Sequence, residues 1–250
     1  MAKNDYIPSV DALIFAGGTG RRMGGSPVPK QFLLLGDKPI IAYTLDQFAN
    51  HPLVSGITVV CLSDWIGFLR QMVENQGYSI PVTIIPGGKT GQESRLNGVN
   101  AIHCKHHGDS DSIVLVHDGV RPLIDEATIT ACIDSVVQRG CTATVGPASE
   151  TIAILGDGGV VECLADRGRC RLARAPQGFK TEELWSCYNQ AANEGLVFID
   201  SISLMAHYGY EIYTVDGPIE NIKITTPGDY FTFKGFMDMR NLHQLWGVEE

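Results

Sequence analysis

The amino-acid sequence predicts one α/β domain whose sheet is mainly parallel and from which a β-hairpin arm projects. Short apolar runs rich in β-branched residues alternate along the chain with segments of helical periodicity, and this alternation is typical of a parallel sheet covered by helices on both faces. The chain has 250 residues, which is enough for one α/β domain with a large hydrophobic core. A glycine-rich turn that interrupts the alternation predicts the arm.

The apolar runs predict five strands, at residues 12–15, 57–62, 82–85, 113–116 and 142–145. Between them, apolar residues three and four positions apart predict four helices, at residues 40–50, 65–76, 94–104 and 126–139. In the second of these helices, Leu69, Met72 and Val73 fall on one face. We expect the strands to pair in one sheet and the helices to cover both of its faces.

The alternation breaks after Gly146. Two apolar segments, 151–155 and 160–164, flank Gly156-Asp157-Gly158-Gly159, and such glycines can adopt the positive φ angles that tight turns require. They predict an antiparallel hairpin within a projecting arm of residues 148–170.

After the arm the alternation resumes. We expect helices at residues 181–194, 201–208 and 227–239 and a strand at residues 211–215. The chain contains no internal repeat and no segment with the composition of a linker. Residues 1–250 are therefore predicted to form a single domain.

The composition excludes several classes of protein. The 19 Lys and Arg residues stand against 28 Asp and Glu residues, a formal net charge of −9, whereas proteins that bind nucleic acid or membrane surfaces present basic faces. No apolar stretch approaches the roughly 20 residues that span a bilayer, and the first residues lack the apolar core of an export signal. The seven cysteines form no C-x-x-C pair. We therefore expect a cytoplasmic protein with reduced thiols that binds neither nucleic acid nor membrane.

A glycine-rich segment follows the first predicted strand directly. It reads Ala16-Gly17-Gly18-Thr19-Gly20-Arg21-Arg22-Met23-Gly24-Gly25, and glycine lets backbone N–H groups approach a phosphate closely. The dinucleotide fingerprint G-x-G-x-x-G fails because Met23 stands where its last glycine is required. A P-loop ending at Gly88-Lys89-Thr90 fails because Thr83 stands where that motif begins with glycine.

Four basic residues near this loop nevertheless predict a polyphosphate site: Arg21, Arg22, Lys30 and Lys38. We expect the side chains of Arg22 and Lys30 to be solvated and to contribute little to the core.

Five segments of the chain together resemble one enzyme family. They are residues 16–23, 29–32 (Pro-Lys-Gln-Phe), 117–122 (His-Asp-Gly-Val-Arg-Pro), 175–179 (Ala-Pro-Gln-Gly-Phe) and 221–227 (Asn-Ile-Lys-Ile-Thr-Thr-Pro). In this order they resemble the signatures of the cytidylyltransferases that join CTP to a polyol phosphate, either methylerythritol 4-phosphate or ribitol 5-phosphate. The resemblance spans about residues 11–240. It implies a Rossmann-like nucleotidyltransferase fold and a reaction that releases pyrophosphate.

The resemblance assigns the reacting phosphates to basic residues and the glycine loop. It implies that Arg22, Lys30 and Lys223 are catalytic. Asp118 follows a predicted strand, at the end where open α/β sheets bind ligands. This carboxylate is expected to hold Mg²⁺, directly or only through phosphates, or to orient a basic partner, with Arg121 supporting it. CTP is expected to contact Ala16, Gly17, Gly18, Thr19, Gly20, Arg21, Gly87, Gly88 and Ser94.

The polyol phosphate is expected beside an arm that crosses to a second subunit. The resemblance implies a homodimer joined through this arm, in which Thr151 and Arg167 reach the partner's site. It also implies that Asp200, Arg121 and Thr225 bind the polyol phosphate. His117 is adjacent to Asp118 and is expected to point to the opposite face of its strand, into the core.

Two positions depart from the family pattern. Gly91 stands where the family commonly has an arginine, and Arg95 follows four residues later. Ile199 stands where the methylerythritol enzymes often have threonine.

Three details favour ribitol 5-phosphate as the acceptor. Five residues separate Met23 from Pro29, as in the ribitol-type loop. Val120 replaces an alanine that is common in the methylerythritol type, and residues 225–227 (Thr-Thr-Pro) resemble the ribitol-type ending. Methylerythritol 4-phosphate, a precursor in isoprenoid biosynthesis, is the alternative acceptor. A catalytically silent nucleotide-binding protein is the second alternative.

Overall fold

The computed structural model of the protein describes residues 8–18, 27–107 and 109–246. The strands are β1 (Val10–Ala16), β2 (Leu34–Leu35), β3 (Lys38–Pro39), β4 (Gly56–Cys61), β5 (Val82–Pro86), β6 (Ile113–Asp118), β7 (Cys141–Pro147), β8 (Ala153–Leu155), β9 (Val161–Leu164), β10 (Arg171–Lys180) and β11 (Tyr213–Asp216). The helices are α1 (Ile40–Ala49), α2 (Ile66–Gln76), α3 (Gly91–Lys105), α4 (Glu126–Arg139), α5 (Thr181–Glu194), α6 (Ser201–His207) and α7 (Pro227–Trp246).

Seven strands form the central sheet, in the order β11-β7-β10-β6-β1-β4-β5. The pairs β1–β4, β1–β6, β4–β5 and β11–β7 are parallel, whereas β10 runs antiparallel to both β6 and β7. The α/β class and the mainly parallel sheet predicted from the sequence are therefore confirmed. Because β10 is reversed, its first residues lie at the edge where the neighbouring parallel strands end.

Helices cover both faces of the sheet. Alternate residues of β1 show this arrangement, since Ala12 and Ile14 pack with α1, α2 and α4, whereas Leu13 packs with α3, α5 and α6. A third cluster forms where α7 meets the start of α1, through Phe233, Ile40 and Ile224. Burial on both faces explains why β1 is a continuous apolar run, which is the pattern from which the strand was predicted.

Local sequence signals set the helix boundaries. The side chains of Thr90, Asp125 and Asp200 each accept a hydrogen bond from a backbone N–H of the first turn of α3, α4 and α6. Gly77 and Gly195 end α2 and α5 in the left-handed conformation. All seven predicted helices are present, with α7 extending beyond its predicted end at residue 239.

Strand β10 lies next to the centre of the sheet and was not predicted. Pro176 lacks the N–H that a strand interior donates, and Arg171 and Arg174 are atypical of a central strand. The structure accommodates the proline through a shift in the β7–β10 register between Ala173 and Gln177. A register shift of this kind is a feature that apolar periodicity does not reveal. The short β2–β3 pair was also not predicted.

The predicted hairpin is present as β8 and β9, which pair antiparallel in a two-stranded sheet of their own. A turn at Asp157–Gly159 joins them, and Gly158 and Gly159 adopt positive φ angles of 73° and 79° there, as a tight turn requires. Every residue of both strands is exposed, including the apolar side chains: Ile154, Leu155, Val161 and Leu164. Two strands with no covering surface are marginal in water.

In the part of the chain described above, no helix combines the length and the apolar composition needed to cross a membrane. The seven cysteines are all free, and Cys61, Cys132, Cys141 and Cys187 are buried.

Candidate active site

A cavity of about 600 Å³ opens at the sheet edge where β1, β5 and β6 end. This edge is where open α/β sheets bind ligands, because the connections that follow the strands diverge there. The cavity brings together residues that are distant in the sequence. Its lining includes nine of the predicted site residues: Gly17, Gly18, Lys30, Gly88, Ser94, Asp118, Arg121, Asp200 and Lys223.

The lining of the cavity is strongly basic although the chain is acidic. Asp118 and Asp200 are the two carboxylates among the described lining residues. The basic lining residues number six and leave an excess of four positive charges: Lys30, Lys89, Arg95, Arg121, Arg174 and Lys223. Such a concentration of cations in a concave site is suited to a ligand that carries several phosphates.

Asp118 organises the basic side chains at the end of β6. One carboxylate oxygen accepts a hydrogen bond from Nζ of Lys223 at 2.7 Å, and the other accepts one from Nε of Arg121 at 2.8 Å. Burial alone would raise the pKa of Asp118, but the two adjacent cations outweigh burial and hold that pKa well below its usual range. Asp118 is therefore ionised at neutral pH and fixes Lys223 over the cavity.

Lys30 reaches the cavity from a single helical turn, Lys30–Phe32, that follows Pro29. The expectation that Lys30 is solvated is wrong, because this residue is only 9% exposed. The next residue, Gln31, is buried and donates from Nε2 to the carbonyl oxygen of Ala16 at 2.6 Å. Phe32 stacks on Trp65 with the ring centroids 4.8 Å apart. The turn is thus attached to the start of the glycine loop on one side and to an aromatic cluster on the other.

The turn between β5 and α3 packs tightly around Ser94. The hydroxyl of Ser94 accepts from the N–H of Gly88 at 3.0 Å and donates to the carbonyl oxygen of Thr90 at 2.8 Å. A Cβ atom on Gly88 would lie 2.4 Å from Cβ of Glu93, so only glycine fits at position 88. Ser94 shapes the turn, and the turn presents its main chain to the cavity.

Asp200 and Arg95 line the cavity from the start of α6 and from α3. The carboxylate of Asp200 accepts from the N–H of Ser203 at 2.9 Å and so caps α6. Arg95 donates from Nη2 to the carbonyl oxygen of Ile199 at 2.6 Å. Arg95 therefore lines the cavity from α3, while Gly91, which stands where the family commonly has arginine, carries no side chain.

Other predicted site residues are not among the described residues that line this cavity. The carbonyl oxygen of Ala16 accepts a hydrogen bond from Gln31, and the N–H of Gly87 donates one to the carbonyl oxygen of Cys61. Thr225 donates from its hydroxyl to Asp229 at 2.7 Å, at the start of α7. Thr151 and Arg167 are exposed on the arm. Thr19, Gly20, Arg21 and Arg22 lie outside the described residues.

Several residues of the site were not identified from the sequence. Asn221 is fully buried, and its side-chain Nδ2 donates to the carbonyl oxygen of Ala175 at 2.7 Å. The backbone carbonyl oxygen of Asn221 accepts a hydrogen bond from Nη1 of Arg121 at 3.0 Å. It joins the loop that carries Lys223 to β10 and β6. Gln31 and Asn221 both lie within segments that resemble the family. Their polar amide side chains in those segments could have indicated that they belong to the site. Arg174 lies outside those segments.

Comparison with known proteins identifies the family. The sequence pattern of the family described as IspD, 2-C-methyl-D-erythritol 4-phosphate cytidylyltransferase, matches residues 10–238. The chain belongs to this family. Every described residue that lines the cavity falls within the matched segment.

Several relatives of this cytidylyltransferase carry the name of the ribitol type. A ribitol-5-phosphate cytidylyltransferase of Vibrio parahaemolyticus is 43% identical over 237 residues, which cover 94% of this chain and 99% of the relative. One of Streptococcus agalactiae is 41% identical and covers 94% of this chain and 98% of its own. A 2-C-methyl-D-erythritol 4-phosphate cytidylyltransferase of Geotalea uraniireducens is 36% identical over 233 residues, which cover 93% of this chain and 98% of that protein.

Solved structures of the family have the same fold. The 4-diphosphocytidyl-2C-methyl-D-erythritol synthase of Anaerococcus prevotii superimposes with a TM-score of 0.81 at 23% identity, covering 92% of this chain and 96% of its own. The 2-C-methyl-D-erythritol 4-phosphate cytidylyltransferase of Thermus thermophilus gives a TM-score of 0.69 at 25% identity, covering 92% of this chain and 99% of its own. The predicted Rossmann-like nucleotidyltransferase fold is thereby confirmed.

His117 packs beneath the site of this cytidylyltransferase, as predicted for a core residue. It is 1% exposed, its Nε2 lies 3.0 Å from the carbonyl oxygen of Arg121, and its ring contacts Phe48 edge-on. Burial lowers the pKa of His117 to about 4 and outweighs the hydrogen bond to Arg121, which acts in the opposite direction. The imidazole is consequently neutral in the folded protein at every pH above about 4.

We predict that His117 makes the folded state less stable in mild acid. Between pH 6.5 and about 4 the unfolded chain binds a proton at His117 and the folded chain does not, so the free energy of unfolding falls as the pH falls. The contribution is about 2 kcal/mol between pH 7 and pH 5. The measurement is the free energy of unfolding by urea, for wild type and for His117→Gln, at pH 7 and at pH 5. Between pH 7 and pH 5 the wild type should lose about 2 kcal/mol relative to the variant. Parallel pH profiles would contradict the assignment.

Proposed function

We propose that this chain transfers the cytidylyl group of CTP to D-ribitol 5-phosphate and releases pyrophosphate. The observation that carries the proposal is the cavity in which Lys30, Asp118 and Lys223 meet beside the glycine loop. The choice of ribitol 5-phosphate is supported by relatives of that name at 41% and 43% identity. The relative named for 2-C-methyl-D-erythritol 4-phosphate is 36% identical, and that acceptor is the second candidate.

The basic residues would act mainly by positioning and neutralising phosphates. In the proposed reaction, an oxygen of the ribitol phosphate forms a bond to the α-phosphorus of CTP, and the bond from that phosphorus to the bridging oxygen of pyrophosphate breaks. Lys30, Arg22 and Lys223 would stabilise the negative charge that develops on the α-phosphate and the leaving group. Asp118 would hold Lys223 in place through the hydrogen bond of 2.7 Å between them.

The nucleotide would lie along the carboxyl ends of β1 and β5. Backbone N–H groups of the glycine loop, from Ala16 to Arg21, would hold the triphosphate. The turn at Gly87 and Gly88 would present main-chain groups to the cytosine, in a shape set by Ser94. Among the nucleotides, CTP is favoured because main-chain groups of the loop and the turn suit a small pyrimidine that carries a 4-amino donor.

The cavity fits Mg²⁺ that is held mainly by phosphates. Within the described ranges, no group of three His, Cys, Asp or Glu side chains is arranged to hold a metal ion. Asp118 retains lone pairs beyond the two hydrogen bonds that it accepts, so it could supply one oxygen ligand. Mg²⁺ commonly binds one or two carboxylates together with substrate phosphates. When bound, the ion would neutralise phosphate charge that the side chains leave uncompensated.

The arm would complete the site of a partner subunit in a homodimer. Its apolar side chains, such as Leu155 and Leu164, are 60% and 64% exposed, and a symmetric partner would cover them. Arg167 lies in a helical turn at the base of the arm and bonds to the carbonyl oxygen of Ser149. Thr151 and Arg167 would then contact the polyol phosphate bound to the partner, and Asp200, Arg121 and Thr225 would act from the chain that binds CTP.

We place this reaction in the cytoplasm. The support is that all seven cysteines are free thiols and that four of them are buried in the core, as is usual in a reducing compartment.

The substrates are tested by pyrophosphate release from the purified protein. We expect turnover with CTP and ribitol 5-phosphate in the presence of Mg²⁺, and much slower turnover with UTP, with methylerythritol 4-phosphate or with excess chelator. Faster turnover with methylerythritol 4-phosphate would favour the second candidate. Binding of CTP without turnover on either acceptor would leave a catalytically silent nucleotide-binding protein.

The phosphate-binding residues are tested by removing one charge at a time. Lys30→Met keeps an aliphatic side chain in the buried position of Lys30, and Arg22→Ala removes a loop cation. Each should lower kcat by about two orders of magnitude or more, because each removes a donor to the transition state. Lys234→Ala, on the exposed side of α7, is the matched control and should retain wild-type turnover. Activity within about threefold of wild type in both site variants would exclude these roles.

Sharing of the site between subunits is tested by mixing two inactive variants. Lys30→Met and Arg167→Ala are unfolded and refolded together, so that half of the dimers are mixed. In each mixed dimer one site combines an intact Lys30 with an intact Arg167 from the other chain. The mixture should recover about a quarter of wild-type activity. No recovery, although mixed dimers form, would show that Arg167 acts within its own chain.

A further inference from the structure

Arg174 lies in the cavity wall although its position in the sequence gives no indication of a binding role. It belongs to β10, where the register with β7 shifts between Ala173 and Gln177. Irregularities of this kind redirect side chains and are common beside binding sites. Arg174 consequently lines the same cavity as Asp118, Arg121 and Lys223.

The guanidinium of Arg174 is held in place with part of its hydrogen-bonding capacity unused. Nη1 donates to the carbonyl oxygens of Pro218 at 2.7 Å and Ile219 at 3.1 Å. A Cβ atom on Gly146 would lie 2.7 Å from Cζ, 2.8 Å from Nε and 2.9 Å from Nη2. Because Cζ is the nearest of these atoms, Gly146 contacts the flat face of the guanidinium and not its edge. Nε and Nη2 have no hydrogen-bond acceptor among the described residues and remain available as a two-donor fork.

Among the residues that the structure describes, no carboxylate pairs with the positive charge of Arg174. No Asp or Glu of the described chain lies within ion-pair distance of it, whereas Asp118 is already occupied by Arg121 and Lys223. Burial and the charge of Arg121 lower the pKa of Arg174, and the charge of Glu220 only partly offsets them. A partly buried cation held beside another cation is favourable when an anionic ligand binds between them.

The order of the strands indicates which anion this would be. The glycine loop follows β1, and the Gly88 turn follows β5, so the nucleotide would occupy the β1-β4-β5 half of the edge. Arg174 lies on β10, on the other side of β6 from β1. An anion bound there would lie beyond Asp118 from the nucleotide, where the second substrate must approach.

We propose that Arg174 binds the phosphate of the acceptor substrate through its Nε and Nη2 donors. This inference rests on the proposed function, since it takes the second substrate to be a phosphate ester. A bidentate contact of this type selects for phosphate over a neutral hydroxyl group. Arg174 is thus a binding residue for the acceptor, contributed by the same chain that binds the nucleotide.

The experiment measures KM for ribitol 5-phosphate and KM for CTP separately, each at a saturating concentration of the other substrate. In Arg174→Ala we expect KM for ribitol 5-phosphate to rise about tenfold or more, as for the loss of hydrogen bonds to a charged group, and KM for CTP to stay within about twofold of wild type. Arg174→Lys keeps the charge and an aliphatic stem but loses the fork, so it should fall between wild type and Arg174→Ala. This variant also keeps the test decisive if Arg174→Ala folds poorly.

Arg139→Ala is the matched control, because it removes the same charge from an exposed position that contacts Tyr213. Both KM values should be unchanged in it. Equal rises of both KM values in the Arg174 variants would overturn the proposal and assign Arg174 to holding the 218–223 loop. Unchanged KM values in both variants would overturn it as well. Absence of wild-type turnover with ribitol 5-phosphate would instead count against the proposed function.

Discussion

The two hydrogen bonds accepted by Asp118 connect the parts of the molecule on which the site depends. They join the end of β6 to Arg121, three residues later, and to Lys223, which lies 105 residues further along the chain. Through Arg121 the connection continues to the buried Asn221 and from there to β10. The position of Lys223 over the cavity is therefore determined by the sheet, although Lys223 itself belongs to an irregular loop. Because Asp118 already holds Lys223 in position before substrate binds, Lys223 needs little reorganisation when negative charge develops on a bound phosphate.

The reversed direction of strand β10 brings its first residues, including Arg174, to the edge of the sheet that carries the site. In a parallel strand, residues near the amino end would lie at the opposite edge of the sheet. Because β10 is antiparallel to β6 and β7, Arg174 lies beside the carboxyl end of β6. The same strand begins at Arg171, directly after the turn at the base of the arm. The arm and the wall of the cavity are thus parts of one continuous backbone segment.

The predictions from sequence were accurate where a single physical signal determined the structure. Burial on both faces makes β1, β4 and β6 continuous apolar runs, and amphipathic spacing together with capping residues defines α4 between Asp125 and Arg139. The position of Asp118 at a strand end and the position of Lys30 in a basic cluster near the glycine loop likewise indicated these two residues, and both line the cavity. Failure followed where tertiary contacts override local preference. The pairing of β10 with β6 and β7 overcomes the low strand preference of a segment that contains Pro176 and two arginines. Lys30 is buried although lysine is usually exposed. Arg174 could not be identified because its environment depends on a register shift and on the distant residues Gly146, Pro218 and Ile219.

The contrast between the basic cavity and the acidic chain determines how an anionic substrate would be captured. The protein has a formal net charge of −9, so it repels a polyanionic substrate at long range. This force is screened beyond a Debye length of about 8 Å at physiological ionic strength. The attraction of the cavity acts only at its mouth, where six basic side chains face inward. Anion selection would accordingly take place after collision, through short-range contacts, and diffusional steering would contribute little.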